Sequence, residues 1–307
     1  MEVRDIFAMR KEGRAEEAYA EISKLYAVHH GPHTTLCVFW CASDLLRLRA
    51  KEENTAEVRR LLGQMVTIYP SINDEDCRGA RAVSIGALAM DKLVEDFNLV
   101  FFMPWFERLP EDDWQAYTAN GHVVPSLGQQ IVNHLMRDLQ KRDLDYVNKV
   151  IGLFRKAIQH APHYKMNLRH YAQLHSLLGD SDKALETYKM LLRRYHDSYL
   201  YGELAKLVAD DAQKIALYSQ AILHQNREEF RAKYHLELAL LLMRQRMQAR
   251  AAYELGRCID IRKKYGHALT PFLRRQLARL QGVVPVGRDE EKILYDRSKA
   301  VVDAMLK

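Results

Sequence analysis

The chain has 307 residues, 48% of them hydrophobic and 28% charged, with a net charge of +6. That composition supports a substantial core in one extended or two compact domains, while 14 glycines and 8 prolines are too few for an all-β fold that turns every ~8–12 residues. No apolar run approaches the ~18 residues of a membrane span, the charged start MEVRDIFAMRKEGRAEE carries no secretory signal, and four irregularly spaced cysteines fit reduced thiols, so a cytoplasmic protein without membrane association is expected.

Residues 1–71 predict helical hairpins. Gly13, Ala18 and Ile22 have the spacing of a turn followed by a second helix, and Val58, Leu62, Met65 and Pro70 repeat it. Between them lies HHGPHTTLCVFWC at 29–41. His33, Cys37 and Cys41 are four apart and fall near one helical face, which suggests zinc. A rise of ~1.5 Å per residue puts the outer two about 12 Å apart, too far for ligands that sit ~2.3 Å from one ion. Gly31 and Pro32 are therefore expected to mark a helix boundary, with Cys37 and Cys41 in the core and no metal.

Residues 72–127 break the period and predict an irregular linker or plug. FNLVFFMPWFERLPEDDWQAYTANGHVVPS holds three prolines, two of the three tryptophans and four of the nine phenylalanines. The run Leu99 to Met103 demands burial, as a plug or as a patch covered by a partner.

Residues 128–283 show apolar residues at spacings of three and four. Val147, Val150, Ile151, Phe154, Ala157 and Ile158 form one stripe, stopped by Pro162. NLRHYAQLHSLLG follows and ends at Gly179, and DSDKALETYKMLLRRY begins with Asp180 or Ser181 as N-cap. Residues 284–307 predict one capping helix, with Asp289 as its cap and Ile293, Leu294, Val301 and Met305 buried.

These positions repeat. Val150, Phe154, Ala157 and Pro162 are matched 34 residues on by Ala184, Tyr188 and Leu191 after Gly179. Ala251, Leu255 and Cys258 match again, preceded by Leu238, Ala239 and Leu242, and Tyr218 and Ala221 mark a copy between, with Lys214 where a small residue is expected. The pattern resembles the tetratricopeptide repeat, a helix–turn–helix of 34 residues, over about 200 of the 307 residues. DIFAMRKEGRAEEAYAE also resembles the start of a group of poorly characterised bacterial tetratricopeptide proteins. The resemblance implies an all-α, right-handed α–α superhelix in which Phe154, Tyr188 and Tyr218 are core pegs. It also implies a concave groove lined by the first helix of each hairpin: Arg169 and Gln173, then Tyr199 and Lys206, then Lys233 and Arg244. Such a groove suits a protein or peptide partner, and apolar solenoid ends allow self-association.

Catalytic signatures are missing from the sequence. There is no phosphate loop (the nearest glycine pattern is Gly121 to Gly128), serine elbow, His-Glu-x-x-His or Cys-x-x-Cys. The acidic clusters at 111–113 and 289–291 stand at expected helix starts, where they complement the helix dipole. A non-enzymatic scaffold or adaptor without cofactor is the expectation. The alternative comes from charge. Residues 226–283 carry thirteen Lys/Arg against five Asp/Glu, whereas 1–225 sum to −2. Arg257, Arg262, Lys263, Lys264, Arg274, Arg275 and Arg279, with Tyr253, Tyr265 and Phe272 as stacking rings, would suit a nucleic acid.

Overall fold

Apolar residues at helical spacing, short polar turns and scarce glycine give an all-helical chain. The computed structural model describes residues 1–119, 122–137, 143–162 and 164–307, and Gly121 of the sequence reading lies outside them. Among the described residues there are sixteen α-helices, three short 3-10 turns and one two-stranded hairpin. The chain forms two compact units, residues 1–167 and 168–307.

Unit 1 begins with α1 (Val3–Lys11), α2 (Ala15–Val28), α3 (Pro32–Lys51) and α4 (Thr55–Ile68), each packed on the next. Gly13 closes the first turn at φ +81°, a conformation costly for other residues. Gly31 is the N-cap of α3 and Pro32 its first residue. Cys37 and Cys41 are fully buried with their sulfurs 4.0 Å apart, whereas His29, His30 and His33 are exposed. Ala18, Ile22, Val58, Leu62 and Met65 lie in the core.

The middle segment departs from the expected irregular linker. It opens with a regular helix, α5 (Arg78–Leu93), packed on α3 and α4. Its sequence, RGARAVSIGALAMDKL, carries small residues that let helices approach closely. A Cβ on Gly86 would stand 3.0 Å from Leu62 Cδ1 and 3.1 Å from Leu46 Cδ1. Buried Asp74 caps its start, accepting from Gly79 N at 2.6 Å, Ala80 N at 2.8 Å and Tyr69 OH at 2.7 Å.

The aromatic run then packs on α5 as a 3-10 turn (Leu99–Phe102) and α6 (Met103–Glu107), burying Leu99, Phe102, Met103 and Phe106 and leaving Phe101 exposed. It is core of unit 1. Strands β1 (Tyr117–Ala119) and β2 (His122–Val124) pair antiparallel and lead to α7 (Leu127–Leu135) and α8 (Leu144–His160). Trp114 is buried so close to α7 that a Cβ on Gly128 would sit 2.3 Å from its ring.

Unit 2 comprises most of α9 (Lys165–Leu177), then α10 (Ser181–Leu192), α11 (Ser198–Ala205), α12 (Asp211–Leu223), α13 (Glu228–Arg244), α14 (Gln248–Lys264), α15 (Pro271–Arg279) and α16 (Arg288–Leu306). Asp180 caps α10, and Gly179 ends α9 at φ +77°. Helices α10 to α14 pack in succession. The expected core positions Phe154, Tyr188, Tyr218, Ala251, Leu255 and Cys258 are all buried, Phe154 in unit 1 and the others in unit 2.

Helix α16 corrects the sequence reading. Its N-cap is Gly287, not Asp289. Ile293 and Val301 are exposed, and the inward face runs through Glu291, Tyr295, Ser298, Val302 and Met305. It lies along α12 and α10, where Gln220 of α12 donates to Ser298 Oγ at 2.7 Å. A polar lining on both helices made hydrophobicity a poor guide to this register.

Candidate functional site

Two of the six expected groove residues, Arg169 and Gln173, converge on one carboxylate, Glu203 of α11, and a third, Tyr199, packs on Arg169. Arg169 of α9 donates from Nε at 3.1 and 3.0 Å to its two oxygens and from Nη2 at 2.5 Å to Oε1. Gln173 donates to Oε1 at 3.2 Å, and Tyr188 OH donates to Oε2 at 3.0 Å. The Arg169 guanidinium lies 4.5 Å from the centre of the Tyr199 ring. Burial first, and then the Glu203 charge, holds the Tyr188 phenol well above its ordinary pKa, which keeps it a donor. These groups satisfy one another. Arg244 is spent similarly, donating to Asp211 Oδ1 at 2.9 Å, with Gln245 on Oδ2 at 2.8 Å. Lys206 and Lys233 remain exposed, Lys233 lying 4.6 Å from the Tyr234 ring centre.

The pairs share a separation. Arg169–Glu203 is 34 residues apart, Arg244–Asp211 33, Arg10–Asp44 34 and Arg49–Glu16 33.

The basic segment is partly neutralised. Glu228 at the start of α13 takes Lys264 as an ion pair, and Arg257 stands 3.9 Å away. Arg262 is half-buried and donates to Ala268 O at 2.8 Å, so it braces the turn after α14 instead of facing a ligand. Lys263, Arg274, Arg275 and Arg279 are exposed, and among the described residues their one polar partner is Gln276, to which Arg279 donates at 3.2 Å. Tyr265 and Phe272 are 42% and 40% exposed, which leaves ring surface beside those cations. Tyr253 is half-buried.

Sequence reasoning missed a buried polar cluster joining α13, α14 and α16. Glu254 and Glu291 are both 0% exposed, and each perturbs the other's carboxyl. Glu254 also meets His235 Nδ1 at 2.5 Å and accepts from Tyr295 OH at 2.5 Å. Arg250 Nη1 donates to Glu291 Oε2 at 2.9 Å, while Glu291 Oε1 is buried without another donor. Burial of two carboxyls in one cluster disfavours charge on both, so each is held toward its protonated form. Burial, then the Glu254 hydrogen bond and charge, pushes Glu291 up to about 8. Burial raises Glu254 to about 7, with the Tyr295 hydrogen bond pulling the other way. Burial and the charges of Arg257 and Arg231 push His235 down to about 3, so it is neutral. A signal existed: His235 lies three and four residues before Leu238 and Ala239, and Glu254 three after Ala251, on the apolar stripes of their helices.

Among the described residues no three His, Cys, Asp or Glu side chains could hold a metal ion, and no helix is long and apolar enough to cross a membrane. No curated protein matches the chain at a significant level. Residues 168–297, which contain the Glu203 network, the basic segment and the carboxyl pair, match a family described as a domain of unknown function (DUF7017).

Proposed function

We propose that this chain is a non-enzymatic scaffold or adaptor that binds a protein or peptide partner, its helices forming tetratricopeptide-like repeats of a right-handed superhelix. One observation carries the reading. Ion pairs recur at separations of 33 and 34 residues, about the length of one tetratricopeptide repeat, and two of them, Arg10–Asp44 and Arg169–Glu203, join the first helices of successive hairpins. Buried pegs at Tyr188, Tyr218, Ala251 and Leu255 support it. The partner surface lies on the first helices of the hairpins, with Lys206 and Lys233 as its available cations and the Glu203 network as a rigid base. Affinity capture and cross-linking with the full chain and with Lys206→Glu/Lys233→Glu test this. A partner retained by the parent chain at moderate salt and lost by the variant is expected. Equal recovery by both refutes the assignment.

A second reading has its own support. Lys263, Arg274 and Arg275 are exposed without acidic partners beside Tyr265 and Phe272, a combination suited to single-stranded nucleic acid. Binding of a labelled single strand should weaken steeply as salt rises and fall further in Arg274→Glu/Arg275→Glu. Failure to bind at low salt removes this reading.

A further inference from the structure

We propose that a cleft along α5 in unit 1 is a docking groove for a peptide segment of apolar side chains ending in acidic ones. This inference rests on the scaffold reading and adds a second surface to it. The cavity is about 890 Å³, at the upper end of the roughly 300–1,000 Å³ of ligand pockets. That volume suits a short peptide better than a folded surface.

The floor is one face of α5. Ile85, Leu88, Ala89 and Leu93 line it at helical spacing, and all but Leu88 are half-exposed. In a regular stack this face would meet another helix, but the chain turns away after Leu93 into the aromatic segment. The far wall comes from Pro110, Tyr117, Pro125 and Leu127, with Tyr117 60% exposed. Fourteen residues separate Arg78 from Lys92, so the groove extends about 20 Å along the helix. At ~3.3 Å per residue, that is the reach of about six extended residues.

Charge sets the direction. At the start of α5, Arg81 pairs with Asp113 at 2.7 Å and Arg78 with Asp76 at 2.9 Å, so that end is self-neutralised. Lys51, the last residue of α3, and Lys92, in the last turn of α5, line the groove, are exposed and have no acidic partner among the described residues. Their adjacent carboxylates are held elsewhere, Asp91 by His134 at 2.5 Å and Arg137 at 3.1 Å, and Glu52 by Arg49 at 2.6 Å. The two lysines are available to take carboxylate side chains.

The test uses the full chain and a labelled eight-residue peptide of alternating leucine and threonine ending in two glutamates, with an amidated terminus. Its control ends in two lysines. Fluorescence anisotropy should show the acidic peptide binding about tenfold more tightly than the control. Lys51→Glu/Lys92→Glu should abolish that preference, Ala89→Trp should remove binding of both by filling the floor, and Lys206→Glu/Lys233→Glu should change neither. Circular dichroism and melting curves identify any variant that misfolds, in which case Lys51→Ala/Lys92→Ala serves in its place. Failure of the acidic peptide to bind, equal affinity for both peptides, or an unaltered preference in the lysine variants overturns the proposal. A dimer that Lys51→Glu/Lys92→Glu disperses would assign the groove to a second copy and overturn it too. If partner capture by Lys206 and Lys233 persists while the peptide fails, the groove falls and the scaffold reading stands.

Discussion

Replacing Glu291 by Gln tests the buried carboxyl pair directly. The amide has the shape of a protonated carboxyl, offering an oxygen to Arg250 and an N–H to Glu254, but it has no proton to lose. In the parent chain the folded pKa of Glu291, about 8, lies above the ordinary carboxyl value of 4.5. A raised folded pKa means that the proton stabilises the fold. Its contribution is fully present below 4.5 and is lost as pH rises through about 8. His235 works in the opposite sense. Its folded pKa of about 3 lies below the usual 6.5, so it costs stability as pH falls below 6.5 and contributes no slope above it. The window from pH 6.5 to 9 therefore isolates the carboxyls. Each pH unit between 6.5 and about 8 removes ~1.4 kcal/mol, or about 2 kcal/mol in all from Glu291, and Glu254 adds in the same direction. For a unit of 140 residues, about 3 °C per kcal/mol gives a fall in Tm of about 6 °C. Calorimetry at pH 6.5, 8 and 9 should show this fall in the parent and a smaller one in Glu291→Gln. Parallel profiles for the two proteins would refute the raised pKa of Glu291.

Four further perturbations follow from the packing. Glu203→Ala removes the acceptor shared by Arg169, Gln173 and Tyr188 and should lower stability by about 2 kcal/mol, read from the urea midpoint; an unmoved midpoint would show that the network adds nothing. Gly128→Ala should cost about 1–3 kcal/mol by overpacking against Trp114, while Gly63→Ala, in the exposed face of α4 with nothing within 4 Å, should gain about 0.5–1 kcal/mol. Replacing both Cys37 and Cys41, each fully buried, by Ala should reduce stability by roughly 1–2 kcal/mol, and elemental analysis of the parent should find no zinc; stoichiometric zinc would overturn the core reading.

Helix periodicity was legible because it is a local property. Spacings of three and four around Phe154, Tyr188 and Ala251 led to buried residues, and the glycines at 13 and 179 led to turns. The reading failed where the inward face is not apolar or not large. Helix α5 escaped notice because its inner face is built from glycine and alanine, which register weakly as hydrophobic although they let helices approach closely. Helix α16 was read only half correctly, Leu294 and Met305 packing inward but Ile293 and Val301 lying exposed, because Glu291 and Ser298 take inward positions. The groove residues needed a further step, from spacing within one helix to spacing between helices. On the proposed repeat, a charge can be checked against the residue about 34 positions away. Arg169 finds Glu203 there, and Arg10 finds Asp44. Lys206 finds Ala172 on one side and Leu240 on the other, neither of which can hold a charge. On the proposed repeat, the spacing that pairs Arg169 and Arg10 internally gives Lys206 no counter-charge, in keeping with its exposure.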